Sequence, residues 1–296
     1  MRISVKRWIA RCLVVGAVAF CAGAGGLWLV ASQLVAPVPR VIGPPPADSG
    51  AVEVAFPSGS GSEIRGWLAE SEDAGGAILL LHGIRADRRD MSGRAAFLRD
   101  MGFHTLAIDF QAHGESAGGR ITLGHLEAMD ATAAVAYLRE RYEGLPVAVI
   151  GTSLGGAAAL MADYAEPPEA MVVEAVFADV PTGIRNRLEI RFGRPGRVLS
   201  PLLVAMVRPL VGIAPGRLDM VEAAAGVTVP VLVIHGKEDR HARPAEAERI
   251  HGALGGPTEI WSIPGAAHVD LHHFAGNEYE KRVGEFIRRH AGGTDD

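Results

Sequence analysis

The sequence predicts an α/β fold with a mostly parallel central sheet and helices on both faces, and three observations carry that prediction. Short apolar runs with strand character alternate with stretches whose apolar residues recur at helical spacing, the pattern of repeated βαβ units. The runs Ala77 to Leu81, Thr105 to Ile108, Val147 to Ile150 and Val229 to Ile234 lack an in–out polar alternation, as strands covered on both faces do. Finally, Gly151-Thr152-Ser153-Leu154-Gly155 joins one of these runs to Ala157 to Leu160, so a strand, a sharp turn and a helix follow one another. With 296 residues, 48% of them hydrophobic, the chain is long enough to bury one large core.

From the N-terminus, Arg2, Lys6, Arg7 and Arg11 precede an uncharged run from Cys12 to Ala36. An apolar run of about 20 residues suits a membrane-spanning helix better than a signal-peptide core of roughly 7–15. Residues 1–36 are therefore expected to be a single-pass membrane anchor, with the cationic end cytoplasmic and the remainder extracytoplasmic. A cleaved signal peptide, with small residues at Ala22 to Ala24, is the competing reading. Five prolines between Pro37 and Pro46 predict an extended, poorly hydrogen-bonded stalk over residues 37–50. The domain proper is then expected over 51–296.

Ala51 to Phe56 and Glu63 to Leu68 alternate around a Gly/Ser turn and predict an antiparallel hairpin. The strand Ala77 to Leu81, a helix from about Asp90 to Met101, the strand Thr105 to Ile108 and a helix from Leu126 to Tyr142 follow. After the serine turn come a helix to about Tyr164 and a strand from Met171 to Phe177. The alternation then breaks over 181–227, where two helical stretches, near Val198 to Leu210 and Leu218 to Ala225, predict a small cap. It resumes with the strand Val229 to Ile234, a helix from Pro244, the strand Thr258 to Ile263 and a last helix near Glu278 to Arg289.

In a parallel sheet the reacting groups collect at the carboxyl ends of the strands. His82-Gly83-Ile84, Asp109, Ser153, Asp239 and His268 all fall there. A serine hydroxyl needs an imidazole to take its proton and a carboxylate to hold the imidazole's tautomer, so Ser153, Asp239 and His268 form a candidate triad. Glu238 and Asp179 are the alternative acids. His82-Gly83, the loop Asp109 to Ser116, Gly151 to Gly155, His235 to Asp239 and Gly265 to His268 together resemble the successive signatures of an α/β-hydrolase in its serine-esterase and lipase-like branch, over about Val52 to Ile287. That resemblance implies acyl-enzyme chemistry with water as the usual acceptor and no metal or other cofactor. It also implies an oxyanion hole from the backbone N–H groups of Leu154 and Ile84.

Further expectations concern the surroundings. The cap is expected to lie over Ser153, with Leu203 and Met206 lining an acyl pocket. His82, His113 and His235 are expected to hydrogen-bond loop backbone, Asp109 to pin its own loop, and Arg85 to Asp90 to form a solvated face. Asp270, His272 and His273 are read as a turn and not as a metal site. A net charge of −5 without a basic face argues against nucleic acid, so the expected partners are a small-molecule ester and, through the first helix, a membrane. A thioesterase, a serine peptidase and a non-catalytic binding module are the other readings of the same residues.

Overall fold

A computed structural model describes residues 5–292. Arg2 and the last four residues lie outside that range. Helix α1 (Val5–Leu34) is followed by β1 (Val38–Pro39), the hairpin β2 (Ala51–Pro57) and β3 (Glu63–Ala69), β4 (Ala77–Leu81), α2 (Ser92–Asp100) and β5 (His104–Ile108). Next come β6 (His113–Gly114), α3 (His125–Arg141), β7 (Val147–Thr152), α4 (Leu154–Met161), β8 (Ala170–Glu174), α5 (Val180–Phe192), α6 (Arg194–Val211) and α7 (Met220–Ala225). The chain ends with β9 (Val231–Gly236), α8 (Pro244–Ala253), β10 (Thr258–Ile263), α9 (Leu271–Ala275) and α10 (Asn277–Ala291).

Eight strands form one sheet in the order β10-β9-β8-β7-β4-β5-β3-β2. The pairs from β10 to β5 are parallel, and the hairpin closes the other edge in antiparallel register. Alternation along each strand feeds two cores. In β4, Leu79 and Leu81 face residues of α3, α4, α7 and α8, while Ile78 and Leu80 face residues of α2 and α10. Burying each such side chain contributes about 1.5–3 kcal/mol, so the strands that carry the site are anchored by burial on both faces. Helix α10 shows how a stripe is read: Tyr279, Val283, Phe286 and Ile287 are buried at helical spacing and close one face of the sheet.

The region after β8 differs from expectation. The strand stops at Glu174 because Ala175 turns into a positive φ of 50°. Helix α5 is an element the sequence reading missed. Asp179 caps it by accepting from Thr182 N at 2.6 Å, with Pro181 in the first turn, which is a helix-start signal.

Two expectations are corrected. Residues 37–50 are not a free stalk. Val38–Pro39 pairs in parallel with His113–Gly114, Arg40 forms an ion pair with Asp87 at 2.7 Å, and Glu115 accepts the N–H groups of Ile42 and Gly43. Backbone donors that proline does not remove have found carboxylate and strand partners. Nor is Arg85 to Asp90 a solvated face. Asp87 and Arg88 are buried, Arg88 bonding to Asp109 and Glu115. Helix α1 is long and apolar enough over Arg7–Leu34 to cross a membrane, a property it shares with signal sequences.

Candidate active site

Ser153 sits between β7 and α4 with φ 52° and ψ −106°, a strained backbone for a residue with a Cβ. The sharpness of this turn explains its glycines. A Cβ on Gly151 would lie 2.5 Å from the Gly155 carbonyl, and one on Gly155 would lie 2.2 Å from the Leu81 oxygen. The turn is fixed from β8, where the Ser153 N–H donates to the Glu174 oxygen at 2.7 Å. The Ser153 hydroxyl is buried and has no hydrogen-bond partner among the described residues, His268 included.

The loops after β9 and β10 bring the other two candidates together. His268 Nδ1 lies 2.7 Å from Asp239 Oδ2, across 29 residues of sequence. Asp239 Oδ1 accepts the N–H groups of His241 and Ala242 at 2.7 and 2.9 Å, so both carboxylate oxygens are held. Burial alone would raise the Asp239 carboxyl. The hydrogen bond and charge of His268, together with the two N–H groups, outweigh that and hold it below the ordinary carboxylate value. A charged Asp239 orients the His268 ring through Nδ1 and leaves Nε2 for proton transfer. Neither rival acid does this: Asp179 caps α5, and Glu238 has no bond to His268.

His241 was not anticipated. Its ring centroid lies 5.0 Å from that of His268, and burial followed by the His268 charge lowers its pKa, so it is an uncharged neighbour at neutral pH. Asp239, His241 and His268 each offer a ligand atom within 4.8 Å of the others. A metal held there would have to displace the proton between His268 and Asp239.

The loop after β4 runs beside the serine: a Cβ built on Gly83 would lie 3.8 Å from Ser153 Cβ. Ile84 follows in that loop, and its side chain packs with Leu154, Ala112 and Ile121. Neither the Ile84 nor the Leu154 N–H donates to another group among the described residues. Leu154 also opens α4, where the first N–H groups have no helical partner and the positive end of the dipole lies.

The neighbouring polar residues hold this edge in shape. His82 donates from Nδ1 to the Gly83 oxygen at 2.7 Å and accepts the Phe110 N–H at Nε2, which fixes a neutral tautomer. Burial and then the charge of His113 push its pKa down to about 3. His113 and His235 likewise meet the Gln111 and Gly236 oxygens. Asp109 accepts from the N–H groups of Arg88 and Glu115 and from the Arg88 guanidinium. Asp270 caps α9 and pairs with Arg94, and His272 pairs with Glu280.

A buried network went unread in the sequence. Arg94 binds Glu174 through two nitrogens at 3.1 and 2.7 Å, and Tyr279 donates to the same carboxylate. Thr152, next to the serine, reaches Glu174 at 3.3 Å, and Arg94 also pairs with Asp270 at 2.9 Å, two residues beyond His268. The one available signal was Glu174 itself, a charge inside an apolar strand. Leu203 is on the buried face of α6 and Met206 is half-buried. A groove of about 700 Å³ lies elsewhere, beside the start of β7, lined among others by Arg139, Tyr142, Glu143 and Glu169.

Comparison with known proteins fits this geometry. The family described as serine aminopeptidase S33 matches residues 72–215, which takes in the loop after β4 and the serine turn. An esterase of Pyrococcus furiosus, Pf2001, superposes with a TM-score of 0.72 at 23% identity, covering 87% of this chain and 99% of its own. The chain has the α/β-hydrolase fold. Among sequence relatives, uncharacterized protein Rv2307c of Mycobacterium tuberculosis is 28% identical, covering 90% of this chain and 91% of its own length. Uncharacterized protein YqkD of Bacillus subtilis is 23% identical over 78% of this chain and 77% of its own length.

Proposed function

We propose that this protein is a serine hydrolase that cleaves a carboxylic ester through an acyl-enzyme. The observation that carries the reading is the Asp239–His268 hydrogen bond at 2.7 Å on the same sheet edge as the strained Ser153 turn. Ser153 Oγ attacks the carbonyl carbon while His268 Nε2 takes its proton. The tetrahedral oxyanion receives the unpaired N–H groups of Ile84 and Leu154. Collapse breaks the bond to the alcohol oxygen, which leaves with the proton from His268, and a water molecule repeats the sequence on the acyl-enzyme. Asp239 stays ionised and stabilises the imidazolium. Leu203 and Met206 are the candidates for acyl contact, and the catalytic domain is read as extracytoplasmic behind the α1 anchor.

The esterase name of the Pyrococcus furiosus structure supports an ester substrate, whereas the aminopeptidase description of the matching family favours an amide as the second reading. Ser153→Ala is expected to abolish fluorophosphonate labelling and to lower p-nitrophenyl ester turnover by roughly 10⁴–10⁶-fold with the fold intact. Labelling that survives the substitution would refute the assignment. Turnover of aminoacyl amides well above that of esters would select the peptidase.

A further inference from the structure

The stretch from the end of α5 through α6 differs in character from the rest of the chain. Between residues 190 and 218 there is no Asp or Glu but there are five arginines, Arg191, Arg194, Arg197, Arg208 and Arg217, in a protein of net charge −5. None of the five has an ion-pair partner among the described residues, although most arginines in the body do. The inner face of α6 is accounted for by Gly196, Ser200, Leu203, Val207 and Val211, which are buried. Its outer face is not. Val198 is 77% exposed, Leu199 45% and Leu202 53%, with Phe192 at 57% just ahead of them. A surface helix ordinarily turns polar residues outward. Aliphatic side chains interleaved with unpaired arginines are the composition of a helix lying in the headgroup zone of a bilayer.

Position supports the same occupant. Helix α6 contacts α1, the helix long and apolar enough to cross a membrane, so a bilayer entered by α1 would lie within reach of α6. A second copy of the chain fits less well, because two such faces would bring their arginines together without an acidic residue to answer them. We propose that the outer face of α6, with Phe192, docks on an anionic phospholipid surface and that the enzyme takes amphiphilic acyl esters lodged in that surface. The docking stands on the face itself; the substrate class rests on the hydrolase reading above.

The test uses the full chain with Cys12→Ser and Cys21→Ser, carrying a single environment-sensitive label at Leu199→Cys. A matching label at Glu143→Cys, exposed beside the opposite end of β7, is the control. In vesicles of phosphatidylcholine and phosphatidylglycerol with brominated acyl chains, the label at 199 is expected to be quenched several-fold more than the control. Arg191→Gln, Arg194→Gln and Arg197→Gln together should reduce that difference, as should vesicles of phosphatidylcholine alone. Equal quenching at the two positions would overturn the docking, and so would shielding of the 199 label without lipid in a concentration-dependent way, the mark of self-association. Fluorophosphonate labelling of Ser153 in the same samples reports the hydrolase reading separately. Given that labelling, Val198→Ser, Leu199→Ser and Leu202→Ser together should leave a soluble short-chain ester unaffected and lower turnover of a vesicle-borne long-chain ester by roughly tenfold. Turnover of the two esters that changes to the same extent in this variant, or not at all, would remove the substrate class and leave the docking.

Discussion

Ser153 holds a φ of 52° only because its neighbours leave no alternative, and the tightest of them is Gly155. A methyl there meets the Leu81 oxygen at 2.2 Å, and Leu81 belongs to the middle of the sheet, so neither side has room to give. Gly155→Ala is therefore expected to cost about 1–3 kcal/mol of stability, as overpacking does, and to weaken fluorophosphonate labelling by more than that loss alone explains. Urea unfolding followed beside labelling rate separates the two effects; an unchanged labelling rate would mean that the turn tolerates the shift. This residue was legible in sequence because so sharp a strand–turn–helix imposes a fixed spacing of small residues. His241 was not, since its proximity to His268 depends on how two loops from different strands fold over one edge.

At the scale of elements, what the sequence hides is pairing over distance. Arg94 and Glu174 are 80 residues apart, and Arg88 and Asp109 are 21 apart, so a run of mixed charge reads as a wet surface until the fold buries it. Helix α5 was hidden for another reason: Asp179, weighed as a catalytic acid, is its cap, and Pro181 stands in its first turn. The strands themselves were legible because short apolar runs bounded by turn residues suit a sheet covered on both faces. The buried network makes a prediction of its own. Arg94 is almost fully buried, and although burial opposes its charge, the carboxylate of Glu174 and the neighbouring Tyr279 and Asp270 hold the guanidinium protonated. Arg94→Met leaves Glu174 charged without its partner and should cost about 3–5 kcal/mol, whereas Arg94→Met with Glu174→Gln should cost less than the single change. Because Glu174 also accepts the Ser153 N–H through its carbonyl and the Thr152 hydroxyl through its carboxylate, the single variant should lose kcat at a temperature where it remains folded. A double variant no more stable than the single would show that the pair does not act as a unit.

Across the whole molecule, the segment after α1 joins the membrane-length helix to the loops around the site. Arg85 reaches the Gln33 oxygen, the Ile121 N–H donates to Val35, and Val38 and Arg40 complete a short ladder with Ala112 and Gly114. Arg40 then meets Asp87 and the Arg85 oxygen, in the loop that presents the Ile84 N–H. Burial would raise the Asp87 carboxyl, yet hydrogen bonds from Arg89 and Arg40 overcome it and hold the group well below the ordinary carboxylate range. A chain cut before Gln33 keeps all of these contacts, and one cut before Ala47 keeps none. The shorter chain exposes the cluster of Ala112, Ile121 and Leu154 where Val38 packs, and leaves Asp87 with Arg89 as its remaining partner. If the docked segment contributes about 2 kcal/mol, the shorter chain should melt roughly 4–8 °C lower. Its fluorophosphonate labelling should fall as well, because the loops after β4 and β5 that flank the serine lose their outer support. Equal melting and labelling would mean that the prolines hold an independent tether against the surface, and that α1 and the site can move without reference to each other.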